Sequence, residues 1–270
     1  ADFGEPSFAA GIIALHDAGA DVIIDDIIYL NEPMFQDGIV AQAINQVTSL
    51  GTVYFSAAGN MSDNSYESNF RPGTRFSTQG TSLVENVNGI LLGHNFNPNG
   101  TGIESFQDIR IPGNTVLEIT FQWDEPYLDQ SNGSVIGSSI DMDIFLIDAA
   151  DETTILDLDA TGTGGEINNL NSDPFEIIFF SNNNASARTV KLFIGKFGNT
   201  PNPNIIKYVI FNPNITIETF ATNSSTCFGH ANTRGAIAVG ASRWNTPTTL
   251  ESFSSKGGTP LIFNVDGSRK

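Results

Sequence analysis

The chain has 270 residues, 40% hydrophobic and 16% charged, with 30 acids against 12 bases for a formal charge of -18. That length and apolar content leave room for two folded cores and exclude an intrinsically disordered tail, while the acidic field repels phosphate backbones and so excludes nucleic acid as a partner. A single cysteine, Cys227, rules out an internal disulfide framework, and no apolar run reaches the roughly 18 residues of a membrane span or reads as a signal peptide.

In chain order, Glu5 to Ala18 reads as a helix capped by Ser7, with Phe8, Ile12 and Leu15 on one face and Gly19 ending it. Asp21 to Tyr29 follows as an apolar strand interrupted by Asp25 and Asp26 and broken by Asn31-Glu32-Pro33. Asp37 caps a second helix that runs to Leu50, and Val40, Ala43, Ile44 and Val47 share its buried face. Gly51 closes it. Thr52 to Ala57 is then a buried strand, which turns at Ala58-Gly59 and presents Asn60 just past its C-terminal end. Helix, strand, helix, strand with short joints predicts a parallel α/β sheet with right-handed crossovers, whose ligands sit beyond the strands' C-terminal ends.

Residues 61–85 are polar and read as a linker. From 86 to 227 the chain breaks into eight or nine short β-type runs divided by Gly, Asn, Pro and Asp, as at Asn132-Gly133 and Asn202-Pro203. That pattern predicts an antiparallel β-sandwich of jelly-roll type. At Gly235 the first style returns. Ala236 to Ala241 is a small-residue strand leading to Ser252–Gly257, and Leu261 to Val265 is a candidate for one more strand. The expected organisation is therefore an α/β domain, 1–60 and 228–270, interrupted by a β-sandwich domain, 86–227. Both ends, Ala1-Asp2-Phe3-Gly4 and Asp266 to Lys270, read as cuts into a longer chain.

Three segments resemble the subtilisin-like serine proteases: Pro6 to Ile24, Ala57-Ala58-Gly59-Asn60, and Gly235 to Gly257 with its Phe253-Ser254-Ser255-Lys256-Gly257 turn. Their order and spacing agree with that family once the β segment is removed. The resemblance implies a partial subtilisin-like domain from a secreted endopeptidase acting on peptide or protein substrates. Asn60 would be its oxyanion-hole donor, a neutral amide suited to an oxygen that gains negative charge. The family's Asp and His motifs, which precede the first matched helix, are absent. So is its nucleophile motif, which follows the last matched turn. Gly80-Thr81-Ser82 has the letters of the latter but the wrong position and followers. The catalytic set is thus reduced to Asn60, and this chain by itself is expected to hydrolyse nothing. The inserted segment resembles the prepeptidase C-terminal and proprotein-convertase P-type β-sandwiches, through Trp123-Asp124, Asp141 to Leu146 and Tyr208-Val209-Ile210. Placed behind Asn60, it would recruit or gate substrate. The rival expectation is a non-catalytic β-sandwich that captures carbohydrate or protein on an inactive scaffold; a third is a pseudoenzyme that lost its triad.

Other polar residues carry competing readings. Asp25 and Asp26 either line a peptide cleft, ligate metal or bond nearby backbone N–H groups; neighbours on a strand point to opposite faces and cannot easily share one ion. Asp141 and Asp143, two apart on a strand, share a face. With Asp124 or Glu125 they could cage Ca²⁺, the one cofactor considered, or form a solvated acidic surface. His16 reads as a partly buried structural residue and His94 as a strand-edge residue with no evident partner. Cys227 and His230 are too few for a zinc site, and as a nucleophile pair they rest on spacing alone. Phe179 and Phe193 read as sandwich core. An incomplete α/β sheet would leave apolar faces uncovered, so self-association is expected.

Overall fold

A computed structural model describes residues 4–76, 91–128, 137–152, 154–158 and 168–270. The chain runs α1 (Glu5–Asp17), β1 (Val22–Asp25), α2 (Ile39–Ser49), β2 (Val53–Ala57), β3 (Ser65–Asn69), β4 (Pro72–Phe76), β5 (Leu91–His94), β6 (Gln107–Ile111) and β7 (Thr115–Trp123). It continues through β8 (Met142–Asp148), β9 (Ile155–Leu158), β10 (Phe175–Asn182), β11 (Arg188–Lys196), β12 (Ile205–Ile210) and β13 (Thr216–Ile217). A 3₁₀ turn (Gly229–Asn232), β14 (Ala236–Val239), β15 (Ser242–Arg243) and β16 (Thr246–Leu250) complete it. Two compact units result: Ala1–Asp63 with Pro126–Val135 and Ser225–Lys270, and Asn64–Glu125 with Ile136–Ser224.

In the first unit β1, β2 and β14 form a three-stranded parallel sheet in that order, with Val22 opposite Val53 and Ala236 opposite Tyr54. Side chains alternate across a strand, so Ile23 and Tyr54 point one way, into a core with Ala9 and Ile12 of α1 and Val40, Ala43, Ile44 and Val47 of α2. Val22, Ile24, Val53, Ile237 and Val239 point the other way and are exposed. Parallel sheets are normally covered on both faces; here one face is open.

Local chemistry departs from the expected caps. Gly4, not Ser7, precedes α1, and Pro6 sits in its first turn, where a missing N–H costs nothing. Gly38 precedes α2. Asp37 instead accepts hydrogen bonds from Thr233 Oγ1 at 2.8 Å and Asn45 Nδ2 at 3.4 Å. The strand predicted over 21–29 ends at Asp25, and of the candidate strand 261–265 only a bridge between Phe263 and Arg269 exists.

The second unit is an antiparallel β-sandwich. One sheet has the order β10-β7-β12-β3; the other runs β13-β6-β11-β5-β4, with β8 on the opposite edge of β11 and β9 beyond it. Strand β11 gives Arg188–Leu192 to β6 and Gly195–Lys196 to β5, so two strands share successive lengths of one edge. Between the sheets lie Leu117, Ile119, Phe121, Trp123, Tyr208 and Ile210 from one side and Ile109, Met142, Ile144, Leu146, Leu192 and Ile194 from the other. Phe145, Ile147 and Phe193, on alternate positions of β8 and β11, make a second cluster on the outer side.

Two boundaries need correction. The stretch 61–85 is not all linker, because β3 and β4 within it are sandwich strands, β3 pairing with β12 and β4 with β5. Residues 126–128 group with the first unit, where the Tyr127 N–H donates to Gln36 Oε1 at 3.0 Å. Gly80-Thr81-Ser82 and Asn132-Gly133 lie outside the described residues. Among the described residues no helix is long and apolar enough to cross a membrane.

Candidate functional site

The turn after β2 is built by a second turn 194 residues further along the chain. The Ala58 N–H donates to Val239 O at 3.0 Å, which fixes the strand's end against β14. Ser255 then clamps the chain from both directions: its N–H donates to Gly59 O at 3.1 Å, and its Oγ accepts the Met61 N–H at 3.1 Å. Ser62 N–H reaches Phe253 O at 2.8 Å and Lys256 N–H reaches Ser62 O at 3.1 Å. Gly59 has φ +93°, and a Cβ there would lie 2.7 Å from Met61 Cε and 3.1 Å from Ser255 Oγ, so only glycine fits between the clamping groups. The result is that Asn60 stands exposed just beyond the C-terminal end of β2.

Below the sheet lies a buried charged cluster. His230 Nδ1 is 2.7 and 2.8 Å from the two carboxylate oxygens of Glu32, and its Nε2 is 3.4 Å from Asp25 Oδ1. Ser56 Oγ, on β2, donates to the same Asp25 oxygen at 2.8 Å. The His230, Glu32 and Asp25 side chains are 1%, 2% and 5% exposed. Burial disfavours the imidazolium, but hydrogen bonds to Asp25 and Glu32 outweigh it and push His230 up to about 10. Burial likewise works against the Asp25 carboxylate, and His230, Tyr54 and Ser56 overcome it and hold its pKa below the usual range. Tyr54 lies beside Asp25, and burial followed by its hydrogen bond to that carboxylate drives its hydroxyl well above the ordinary phenol value. Gly229, at φ +64°, lets the backbone pass Glu32: a Cβ would sit 2.2 Å from Glu32 Oε2. Nothing in the local sequence marked Glu32, which reads as a strand-breaking loop residue; its partner is 198 positions away.

The remaining candidates resolve as follows. Asp25 turns inward and Asp26 outward, so the two do not share a ligand. Asp124 accepts the backbone N–H groups of Asn204 (2.7 Å) and Ile205 (3.0 Å), and Glu125 takes the Ser139 N–H (2.9 Å). Asp141 accepts the Asn169 N–H at 3.1 Å, and burial raises its pKa. These carboxylates are spent on loop backbone, and among the described residues no group of three or more His, Cys, Asp or Glu is placed to hold a metal ion. His16 is tied to Thr52 Oγ1 at 2.8 Å. His94 does have partners, contrary to expectation: Tyr66 Oη at 2.9 Å and the Arg71 N–H at 3.1 Å on Nδ1. Burial first, then the Arg71 charge, push it down to about 3. Cys227 packs against Ala58 and Ala231, and burial pushes its thiol up to about 11, which removes it as a thiolate nucleophile. Phe193 is buried in the outer cluster and not between the sheets, and Phe179 is 48% exposed.

No known protein family matches the sequence, and no curated protein matches it. Among solved structures there is similarity to a CBM4 structure (7% identity over 58% of this chain and 96% of that one, TM-score 0.20). The VP2 subviral particle of infectious bursal disease virus also matches (15% identity over 58% of this chain and 34% of that one, TM-score 0.20). At such TM-scores neither likeness bears on fold or function.

Proposed function

We propose that this chain is the central part of a secreted subtilisin-like serine endopeptidase, with the β-sandwich unit inserted soon after the oxyanion-hole residue Asn60. The observation that supports this reading is the clamp just described: the Ala57–Asn60 and Phe253–Lys256 turns, two of the three resembling segments, meet at the C-terminal end of one parallel sheet, and the third segment supplies α1 and β1 of the same unit. That end of an open sheet is where substrates bind. An exposed side-chain amide there is a neutral donor for a developing oxyanion.

Among the described residues none of the three histidines bonds a serine hydroxyl or the cysteine thiol: His16 holds Thr52, His94 holds Tyr66 and Arg71, and His230 holds Glu32 and Asp25. Incubation of the chain with casein or an acyl ester is therefore expected to give no turnover; hydrolysis abolished by Asn60→Leu would overturn that expectation. In a polypeptide that also supplies nucleophile and base, Asn60→Leu lowers kcat by about 10²–10³, the factor known for removing such a donor in a subtilisin, with KM little changed. An unchanged kcat there removes the oxyanion role.

A second reading, a non-catalytic module capturing carbohydrate or protein, draws on one feature of the sandwich. Phe179 and Val116 are exposed on the outer face of neighbouring strands β10 and β7. A glycan array probed with the chain tests this second reading: a glycan ligand lost on Phe179→Ser supports it, and no bound glycan leaves the first.

A further inference from the structure

Between β5 and β6 the chain reads Asn95-Phe96-Asn97-Pro98-Asn99-Gly100, with asparagines two apart. The first two amides are spent on the loop itself. Asn95 Oδ1 accepts the Asn97 N–H at 3.1 Å and the Glu104 N–H at 2.9 Å, and its Nδ2 reaches Gly102 O at 3.4 Å. Asn97 Oδ1 accepts the Asn99 N–H at 2.9 Å, and its Nδ2 donates to Thr101 O at 2.6 Å. Among the described residues the Asn99 carboxamide has no hydrogen-bond partner, and neither has the Gly100 N–H. Both residues are exposed.

An asparagine side chain is open to attack by the backbone nitrogen of the next residue, which closes a five-membered ring. The attack needs a free N–H, a free carboxamide and little bulk beside the nitrogen. Asn95 fails on each count: its amide is bonded, the Phe96 N–H donates to Glu104 O at 2.8 Å, and the Phe96 ring is buried. Asn97 fails because Pro98 has no N–H. Asn99 meets all three conditions. Gly100, at φ +70°, has no side chain, and nothing lies within 4 Å of a Cβ built there. The Asp266-Gly267 pair shows the opposite arrangement. There the Gly267 N–H donates to Asn264 O at 3.0 Å, and Asp266 Oδ1 accepts the Ser268 N–H at 3.0 Å and its hydroxyl at 2.6 Å.

We infer that Asn99 is a self-modification site, where the chain's own backbone displaces the side-chain amide and water leaves a carboxylate in its place. The Gly100 N–H gives its proton to hydroxide, and the nitrogen attacks Asn99 Cγ. The Cγ–Nδ2 bond breaks and ammonia leaves, so a cyclic imide joins the two residues. Water then opens the ring. Cleavage at Cγ gives aspartate; cleavage at the Asn99 main-chain carbonyl gives isoaspartate, in which the backbone runs through the former side chain. The net change is one water in and one ammonia out, with no oxidation or reduction. The product carries one more negative charge on this loop, and because the nucleophile is a deprotonated amide, it forms faster as pH rises. The modification is independent of any role for Asn60.

The test incubates the full chain in mildly alkaline buffer, once folded and once in urea. Peptides are mapped by mass spectrometry, with aspartate and isoaspartate forms separated by chromatography. The readout is taken residue by residue, because Asn88-Gly89 and Asn132-Gly133 lie outside the described residues. The Asn99 peptide is expected to gain about one mass unit and to divide into the two forms. Its rate in the folded chain should be within about threefold of the rate in urea, since a loop tip without protecting bonds needs no opening free energy. Gly100→Asn should slow the conversion: asparagine tolerates the positive φ, and its side chain crowds the attacking nitrogen. Asn99→Gln should show no conversion at that position, because the longer side chain cannot close the five-membered ring. A folded rate about tenfold or more below the rate in urea marks an opening cost and overturns the proposal. So does an Asn99 peptide that stays unmodified in the folded chain, or a rate unaffected by Gly100→Asn.

Discussion

At the scale of single residues, His230 and Glu32 have the largest consequences for stability in the first unit. Each is a poor resident of a core by itself, and each is tolerable because the other is within 2.8 Å. Removing one partner strands the other, so His230→Gln is expected to cost about 3–5 kcal/mol in urea unfolding. The double variant Glu32→Gln/His230→Gln should lose less than the sum of the single changes, because Glu32 is no longer left as a charge facing a neutral partner, while Asp25 loses His230 in the single and the double variant alike; strict additivity would show that the two are not coupled. Gly229→Ala should behave like a broken pair, since its Cβ would collide with Glu32 and its φ of +64° is unfavourable for alanine. Little of this was legible in the sequence. The exposed position of Asn60 beyond β2 was readable because a strand, a Gly turn and an amide are neighbours in the chain. The cluster was not, because its members come from β1, the loop after it and the 3₁₀ turn, and only folding makes them adjacent.

At the scale of elements, the alternation along β1 sets up a sharp contrast. Ile23 is 5% exposed under α1 and α2, and Ile24 is 74% exposed on the open face. Ile23→Ala is expected to cost about 2–5 kcal/mol, a core deletion, whereas Ile24→Thr should change stability by less than about 0.5 kcal/mol. Denaturant unfolding of the two variants measures this directly, and a large cost at Ile24 would mean that something covers that face in solution. A second copy of the chain is the proposed cover, and Ile24→Lys should then shift sedimentation toward monomer. The same alternation explains which elements were readable. β7, β8, β11 and β12 carry several large inward residues each and stand out as runs. β3 escaped because it is the outermost strand of its sheet, and in Ser65-Tyr66-Glu67-Ser68-Asn69 only Tyr66 is a large apolar contributor. A sheet's last strand needs to be apolar on one side only, so its composition resembles a loop. The caps misled for a related reason: Asp37 has the right identity for capping α2, but Thr233 and Asn45 take its carboxylate.

At the scale of the whole molecule, each unit holds its own buried histidine, and the two titrate in opposite senses. His230, in the first unit, is raised to about 10. Its contribution is complete below the unfolded value of about 6.5 and is lost as pH rises through the folded value. His94, in the sandwich, is lowered to about 3, so its neutral form is the folded one. The unfolded chain takes up the proton first, and the sandwich loses stability as pH falls from about 6.5 toward 3. The lowered Asp25 adds an acid term in the first unit only below about 3.9, the unfolded carboxylate value. The two tryptophans allow these effects to be separated. Trp123 is fully buried in the sandwich, its Nε1 donating to Ser138 Oγ at 3.0 Å, and Trp244 is 92% exposed in the other unit. A Trp244→Phe protein reports the sandwich alone by fluorescence, and helix ellipticity at 222 nm follows the unit that holds α1 and α2. Between pH 7 and 10 the ellipticity transition should move to lower urea, and the Trp123 transition should not, because burial lowers the pKa of Lys207 and Lys196 and so favours the folded sandwich as pH rises; between pH 6.5 and 4 the Trp123 transition should move to lower urea and the ellipticity transition should not. Replacing His94 by Gln should flatten the acid response of the Trp123 signal and leave the alkaline response of the helices intact, since the His230 cluster is untouched. If both signals move together at both ends of the range, the two units unfold as one cooperative body, and the histidines cannot be assigned separate effects.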